Sequence, residues 1–147
     1  MQLSGREEFT QSPDVLWPRL TDLSSFARVL PRLEKVERAE PGRLECRVKP
    51  GLSFLTGTLR LTFEVIDQAP PRSARMRITG KGVGASVVVE TSFQLEAIAA
   101  GTQLDWQSEV TELGGLLKPV SRGLIEAAAL KVIADGWEGF RRDLAEA

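Results

Sequence analysis

The chain has 147 residues, of which 42% are hydrophobic, so it is long enough to bury the core of one domain without a metal or a disulfide. Its 19 basic and 20 acidic residues give a net charge of -1 and form no long run of one sign, which argues against a nucleic-acid partner. It contains no histidine, no tyrosine and one cysteine, which excludes a Ser-His-Asp or Cys-His catalytic arrangement and leaves no zinc site.

The first elements predicted along the chain are a strand and two short helices. Residues 3–10 are predicted as a strand, although Glu7 breaks the alternation of apolar and polar side chains. Ser12, Pro13 and Asp14 form a helix start, with a serine N-cap and proline at the first helical position. Pro18 removes an N–H one turn later, so this helix is expected to be short or kinked. A second short helix is predicted over residues 23–29.

Six further strands are predicted in close succession, because short runs of alternating apolar residues are separated by Pro and Gly turn signals. The pattern is typical of a curved antiparallel sheet. The predicted strands are residues 34–39, 43–49, 52–65, 74–79, 86–98 and 102–111.

The third of these strands contains a phase slip. Leu52 and Phe54 alternate on even positions, whereas Leu59, Leu61 and Phe63 alternate on odd positions. One extra residue at or near Gly57 would produce this slip, and a β-bulge there would bend the strand and curl the sheet.

The stretch GKGVGA, residues 80–85, matches the relaxed dinucleotide fingerprint G-x-G-x-x-G/A. That fingerprint binds a pyrophosphate only where a helix follows, because the helix end supplies free N–H groups and a positive dipole. The residues that follow, SVVVETSFQLEAI, alternate with the period of a strand. The glycines are therefore interpreted as a flexible link between two antiparallel strands, and no nucleotide is expected to bind.

A long helix is predicted from Gly114-Gly115 to near the end of the chain. At 100° per residue, Leu130, Ile133, Trp137, Phe140 and Leu144 form one apolar stripe.

Arg122 and Glu126 lie on the upstream extension of this stripe, where a charged pair continues a buried face. Two interpretations stay open. The pair forms an i,i+4 ion pair on an exposed turn, or it offers a polar contact to a ligand between helix and sheet.

The order of strand, two short helices, six strands and long helix resembles the helix-grip fold of the START-like, or Bet v 1-like, superfamily. Particular segments resemble its CoxG branch, which is named for a subunit of carbon monoxide dehydrogenase: SPDVLWPRLTD is similar to the branch's Pro-x-x-x-Trp helix, and VLPRLEKVE to its Cys-Leu-Pro-Gly-x-Glu segment. GTLRLTFEV, GKGVGASVVVETSFQLE and GTQLDWQSEVTELGGLL follow in the family's order and spacing. The sequence departs from the family pattern at Val29 and Arg32, where members often have Cys and Gly.

The resemblance implies one α+β domain over residues 1–147: a curved antiparallel seven-stranded sheet wrapped around the long C-terminal helix, with two short helices after the first strand. It also implies a cavity for a hydrophobic small molecule, such as a lipid or isoprenoid, that is carried and not converted. Members of this branch are linked to membrane association and to the service of a molybdenum-containing dehydrogenase, which implies a dehydrogenase-type protein partner. The predicted ligand-binding residues are Phe54, Leu61, Phe63, Met76, Ile78, Val89, Phe93, Leu104, Trp106, Arg122, Glu126, Leu130, Ile133 and Trp137.

Two alternatives remain. The first is a cyclase- or dehydratase-like enzyme, for which Arg122 and Glu126 are the candidate polar groups. The second is a ligand-free docking module that uses the apolar loop of Leu52, Phe54 and Leu55. No catalytic residue, cofactor or metal is predicted. The start MQLSGREEF is too polar for a secretory signal and no stretch reaches the roughly 20 apolar residues of a membrane span, so a cytoplasmic protein with at most peripheral membrane contact is expected.

Overall fold

The structure, a computed structural model, describes residues 1–30, 32–50 and 56–146. Within these residues the fold is α+β, in the predicted order of strand, two short helices, six strands and a long helix. The strands are β1 (Gln2–Phe9), β2 (Leu33–Glu40), β3 (Arg43–Val48), β4 (Leu59–Ala69), β5 (Ser73–Gly82), β6 (Ala85–Ile98) and β7 (Gly101–Gly115). The helices are α1 (Pro13–Thr21), α2 (Leu23–Phe26) and α3 (Arg122–Glu146), and a 3₁₀ helix, Ala27–Val29, follows α2.

The seven strands of the described chain form one antiparallel sheet in the order β1-β7-β6-β5-β4-β3-β2. The sheet is curved, and α3 lies across its concave face, which confirms the predicted helix-grip fold. We call the end of the sheet near Phe9 and Gly101 the lower end, and the end near Ala85 and Gly115 the upper end. Helix α3 starts at the upper end, after β7, and its last turns reach Phe9 at the lower end.

Alternation along each strand sends one set of side chains to the concave face and the other to solvent. In β3, Leu44, Cys46 and Val48 are buried, as the sequence predicted. The outer face carries ion pairs instead, such as that between Arg77 and Glu90 at 3.0 Å. The period of two therefore separates the core from a solvated surface.

Helix α1 begins where the Ser-Pro-Asp signal predicted and is short, with nine residues and Pro18 inside it. Leu16 on this helix is fully buried. The indole N–H of Trp17 donates a hydrogen bond to the Ser73 carbonyl oxygen at 2.9 Å, which fixes α1 to the first residue of β5.

The glycine-rich segment of residues 80–85 is a tight β-hairpin. Strand β5 continues to Gly82 and β6 begins at Ala85, so only Val83 and Gly84 form the turn. Both have positive φ angles, 49° and 78°, as a two-residue type I′ turn requires. The predicted strand–strand link is confirmed, but it is shorter than expected because Gly80 is paired within β5.

The bulge predicted at Gly57 is wrong. Gly57 precedes β4, which begins at Leu59, and its φ of 95° lies outside any strand. The apparent phase slip arose because residues on either side of Gly57 were assigned to one strand. A register shift does occur in β4, between Val65 and Asp67. Leu52 and Phe54 lie outside the described residues.

The start and the apolar stripe of α3 also differ from prediction. Strand β7 continues to Gly115, and α3 begins only at Arg122, where the Ser121 hydroxyl accepts a hydrogen bond from the Leu124 N–H at 3.3 Å. Leu130 is 44% exposed and does not belong to the buried stripe, because it lies about 100° around the helix from Ala129. The sheet-facing stripe of buried and partly buried apolar residues is Ile125, Ala129, Ile133, Trp137, Phe140 and Leu144.

The C-terminal half of α3 is anchored to the helices that follow β1. A Cβ atom on Gly139 would lie 2.7 Å from the Val29 carbonyl oxygen, so the glycine permits close approach of the 3₁₀ helix. The Asp143 carboxylate accepts hydrogen bonds from Arg28, at 3.2 Å, and Arg19, at 2.8 Å. These two guanidinium groups hold the pKa of Asp143 below its usual range.

Candidate functional site

The lower end of the concave face is filled by aromatic side chains. Trp137 of α3 lies 6.0 Å from Phe9 and 6.2 Å from Phe93 between ring centroids. Phe140 completes the cluster at 5.8 Å from Phe9 and 5.9 Å from Trp137. This end is closed core, and it fixes the distance between α3 and the sheet.

The upper half of the concave face is packed less completely. Its apolar side chains share the inward parity of the buried core, yet they are only partly buried. In register order they run across four strands: Leu61 on β4, Ile78 on β5, Val87 and Val89 on β6, and Leu113 on β7. Apolar side chains on an inward face that keep contact with solvent are what an open cavity wall requires.

Gly136 marks open space on the helix side. It lies three residues after Ile133 and four before Phe140, hence on the sheet-facing stripe. A Cβ atom built on Gly136 would have no atom of the described chain within 4 Å, apart from its own helix and neighbours. We call the space between residues 129–136 of α3 and Leu61, Ile78, Val87, Val89 and Leu113 the groove.

Three polar side chains lie on the concave face next to the groove. The hydroxyls of Thr91 and Ser108 form a hydrogen bond with each other at 2.9 Å. The indole N–H of Trp106 is buried and has no hydrogen-bond partner among the described residues. A Cβ atom on Gly5 would lie 2.6 Å from the Trp106 ring, so this glycine lets the indole lie flat over β1.

The charged residue that disturbed the alternation of β1 is paired at the lower end. Glu7 accepts a hydrogen bond from Arg141 of α3 at 3.1 Å, and the Arg141 guanidinium also lies 4.2 Å from the centre of the Phe9 ring. Glu7 therefore has a local partner outside the groove.

Arg122 and Glu126 lie at the upper rim. Arg122 is exposed and Glu126 is partly buried. No ion pair joins these two residues, both of which the structure describes, so the i,i+4 pair is not formed. Their position at the rim is compatible with contact to a ligand's polar end, and nothing in the geometry gives them a catalytic arrangement.

Two other depressions are present, and neither is the groove. One of about 350 Å³ lies on the outer face of the sheet and is polar, with Ser4, Arg75, Glu90 and Gln107 in its lining. The other, about 280 Å³, lies at the lower end between Phe9, Arg141 and Leu144.

The residues predicted to bind a ligand divide into groups with different positions. Phe63, Met76, Phe93, Leu104 and Trp106 face inward and are buried. Leu61, Ile78, Val89 and Ile133 line the groove, and Trp137 closes its lower end.

Three predicted residues do not line the groove as described. Leu130 points away from the sheet-facing stripe and is exposed. Arg122 lies exposed at the rim, and Phe54 is outside the described residues. Sequence reasoning missed Gly136, Ser108 and Val87; for Val87 the alternation of β6 was a sufficient signal, because it shares the parity of Val89.

Two other kinds of site are absent from the described part of the chain. Within residues 1–30, 32–50 and 56–146, three or more His, Cys, Asp or Glu side chains nowhere gather closely enough to hold a metal ion. Over the same ranges, every helix is too short or too polar to cross a bilayer.

A curved antiparallel sheet that grips a long C-terminal helix over an apolar groove defines a START-like, Bet v 1-like protein. More narrowly, the chain belongs to the CoxG family of carbon monoxide dehydrogenase subunits, whose family model matches residues 5–145. No curated protein sequence matches the chain.

Solved structures share this fold at low sequence identity. A conserved protein from Geobacillus kaustophilus has a TM-score of 0.87 at 20% identity, over 99% of this chain and 96% of that chain. An uncharacterized protein from Rhizobium leguminosarum has a TM-score of 0.71 at 14% identity, over 100% and 95% of the two chains. DynU16, from the dynemicin biosynthetic locus, has a TM-score of 0.60 at 16% identity, over 98% of this chain and 47% of its own.

Proposed function

We propose that the protein binds and carries an apolar small molecule, such as a lipid or isoprenoid, in the groove. The observation that carries this proposal is Gly136, a residue on the sheet-facing stripe whose missing side chain has open space in front of it. The wall opposite is made of partly buried aliphatic side chains. A ligand that covered them would complete the burial that the sheet and α3 leave unfinished.

The balance of energies suits pick-up and release. Burying ten to fifteen methylene-sized groups contributes roughly 8 to 12 kcal/mol, and association costs about 4 kcal/mol or more. The remainder corresponds to affinities from about millimolar to micromolar.

Carriage fits the groove better than catalysis. Its described walls carry aliphatic side chains and hydroxyls, while the nearby carboxylate of Glu7 is engaged by Arg141. A general acid or base needs a titratable group within hydrogen-bonding reach of the substrate. The cyclase-like alternative would have to rely on Glu126 at the rim, and the docking alternative on the loop of Leu52 and Phe54, which lies outside the described residues.

The test fills the groove from the helix side. Gly136→Leu places a side chain into the space in front of the stripe, whereas Gly123→Leu adds the same side chain at an exposed helical position that also has no atom within 4 Å. Fluorescent fatty-acyl and quinone analogues are titrated against both variants, and native mass spectrometry of freshly purified protein detects a co-purifying molecule.

Wild type and Gly123→Leu are expected to bind equally well. Gly136→Leu is expected to bind about tenfold more weakly, because displacing two methylene groups costs about 0.8 kcal/mol each. Melting temperatures should agree within a few degrees. Carriage in the groove would be refuted if wild type bound no member of the panel and extracts held no apolar compound.

A recipient for the ligand is proposed on family membership. The matched family is named for a subunit of carbon monoxide dehydrogenase, which supports a dehydrogenase-type enzyme as the partner. Loaded protein mixed with such an enzyme should lose its ligand faster than when it is mixed with albumin at equal concentration. Equal rates of loss would argue against the partner and would leave ligand binding unaffected.

A further inference from the structure

We propose that the groove is built for an uncharged apolar molecule that carries a hydrogen-bond-accepting oxygen of the ketone type, received by Trp106, Ser108 and Thr91. This inference rests on the proposed function and adds the chemical class of the ligand. It depends on how many hydrogen-bond donors lie on the concave face and how few acceptors.

The three side chains occupy one patch. Trp106 and Ser108 are inward neighbours on β7, two residues apart, and Ser108 lies directly across from Thr91 on β6. Directly paired residues of antiparallel strands have Cα atoms about 4.5 to 5.5 Å apart. The patch is therefore one polar island on an apolar wall.

The island has more donors than acceptors can satisfy. The two hydroxyls make one hydrogen bond between them, so one hydroxyl proton remains, and no other acceptor among the described residues receives it. The Trp106 N–H is a second donor without an acceptor, on a side chain that is only 6% exposed. Buried donors without acceptors cost free energy, so native proteins normally satisfy them. Trp17 does so through the Ser73 carbonyl oxygen.

The other buried donor without a partner has a different setting. Arg43 Nε is part of a guanidinium that forms ion pairs with Glu45 and Glu64 on the outer face of the sheet. Its charge is compensated there. The Trp106 donor is neutral, faces the concave side and has no such neighbour among the described residues, so it is the one that indicates a ligand.

The island lies under the open part of α3. Trp106 is paired across the strands with Phe93, whose ring contacts Trp137. Gly136 and Ile133 precede Trp137 on the sheet-facing side, toward the upper end. Ser108 and Thr91 are likewise one inward row above Trp106 and Phe93. The donors are thus at the lower end of the groove, beyond the aliphatic wall of Val89 and Ile78.

The charge of the surroundings selects an uncharged acceptor. The closest cation placed on the concave side, Arg141, is held at the lower end by Glu7 and the Phe9 ring. A carboxylate buried beside the island would have no opposite charge. A carbonyl oxygen has two lone pairs and can accept from both unused donors, whereas an alcohol would add a further donor.

The experiment compares three molecules of equal length: 2-pentadecanone, pentadecane and pentadecanoate. Each is incubated with the full-length protein and quantified by native mass spectrometry, and the carbonyl stretch of ¹³C-labelled ketone is recorded by infrared spectroscopy. The variants are Trp106→Phe, which removes the N–H and keeps an aromatic ring, and Ser108→Ala. Trp17→Phe is the matched control, because its N–H already has a protein acceptor.

We expect the ketone to bind more tightly than the alkane and the carboxylate, with its stretch shifted to lower wavenumber than in hexadecane solution. Trp106→Phe and Ser108→Ala should each weaken ketone binding about 2- to 12-fold, the range for one neutral hydrogen bond, and should reduce the infrared shift. Trp17→Phe should change neither readout. If Trp106→Phe does not fold, Ser108→Ala alone decides.

Three outcomes would overturn the inference. Equal binding of ketone and alkane, with no infrared shift, would mean that water satisfies the donors and that the groove selects only for apolar surface. Tightest binding of the carboxylate would mean that a charged end is recognised elsewhere. Both of these leave carriage intact. Binding of none of the three molecules, together with failure of the fatty-acyl panel, would remove the proposed function as well.

Discussion

Two glycines three residues apart on α3 have opposite surroundings. A Cβ atom on Gly139 would meet the Val29 carbonyl oxygen at 2.7 Å, while one on Gly136 would meet nothing within 4 Å. Gly139→Ala should therefore destabilise the protein by about 1 to 3 kcal/mol through overpacking. Gly136→Ala should stabilise it by about 0.5 to 1 kcal/mol, because alanine favours helix. Urea denaturation of both variants measures the difference, and equal effects would contradict the assigned open space.

The buried thiol of Cys46 offers a second test at this scale. Burial, with a smaller contribution from the nearby Glu37 carboxylate, raises the pKa of this thiol to about 11. The native protein should therefore react with iodoacetamide at pH 8 only as fast as it opens. Chemically denatured protein should react completely, which is the control. Rapid native labelling would place Cys46 outside the core.

A third prediction concerns the Asp143 carboxylate. Hydrogen bonds from Arg28 and Arg19 hold its pKa below the unfolded value of about 3.9. The ionised form thus stabilises the fold, fully above the unfolded pKa and progressively less as pH falls through the folded pKa. Asp143→Asn should lower the free energy of unfolding by about 1 kcal/mol at pH 7.

The loss caused by Asp143→Asn should shrink towards zero as the pH falls below 4. Glu138→Gln is the matched control, because its exposed i,i+4 pair with Arg142 should contribute at most about 0.5 kcal/mol. A pH-independent difference for Asp143→Asn, measured by urea denaturation between pH 2 and 7, would contradict the assigned role.

At the scale of single residues, sequence reasoning identified walls better than spaces. Alternation correctly predicted that Leu61, Ile78 and Val89 face inward, because a side chain's face follows from strand period alone. It could not find Gly136, since the meaning of an absent side chain depends on what lies opposite. The unsatisfied donor of Trp106 was equally hidden, because hydrogen-bond partners are long-range.

At the scale of elements, α3 consists of two unlike halves. The C-terminal half is fixed by the aromatic cluster, Gly139 and Asp143. The N-terminal half covers the groove and exposes Leu124, Leu130 and Val132 by 44 to 51%. Amides of residues 122–131 should therefore exchange with deuterium faster than those of residues 136–146.

A ligand in the groove should slow exchange in the N-terminal half selectively, because binding stabilises the segment that it contacts. Mass spectrometry of peptic fragments, with and without the bound analogue, makes the comparison. Uniform protection along α3 in both samples would show that the two halves are one rigid unit.

Element boundaries were predicted least well where neighbouring elements decide them. Strand β7 continues to Gly115 because β6 supplies partners as far as Ala85. Glycines in sequence usually indicate an end, yet here a cross-strand neighbour overrides that local signal. The false bulge at Gly57 has the same origin, since the sequence could not tell that β4 starts only at Leu59.

At the scale of the whole molecule, sheet and helix form one cooperative unit. Removing residues 131–147 deletes Trp137, Phe140 and Leu144, each contributing about 1.5 to 3 kcal/mol where buried. That loss is comparable with a typical stability of about 5 to 15 kcal/mol, so the truncated chain should not fold. Near-ultraviolet circular dichroism and thermal melting are the measurements. A truncated chain that kept both signals would show that the sheet is stable without its helix.

The fold itself was predictable because two periodicities divide the chain, and each demands its own layer. The curved sheet needs an apolar cover, and α3 is the one long amphipathic segment available among the described residues. What the groove holds was not predictable to the same degree, because any apolar face satisfies the pattern.

The pairing of β1 with β7 has a consequence for how the protein is made. Gln2 lies beside Glu109 in the finished sheet, so β1 leaves the ribosome more than 100 residues before its only neighbour in the described sheet. At about 5 to 20 residues per second, that interval lasts roughly 5 to 20 seconds. Throughout it, the apolar side chains of β1 and the unfinished meander β2 to β6 stay exposed to solvent or to a chaperone. Synthesis in the cell should therefore depend on trigger-factor-type holdases more strongly than refolding of the complete chain does at low concentration.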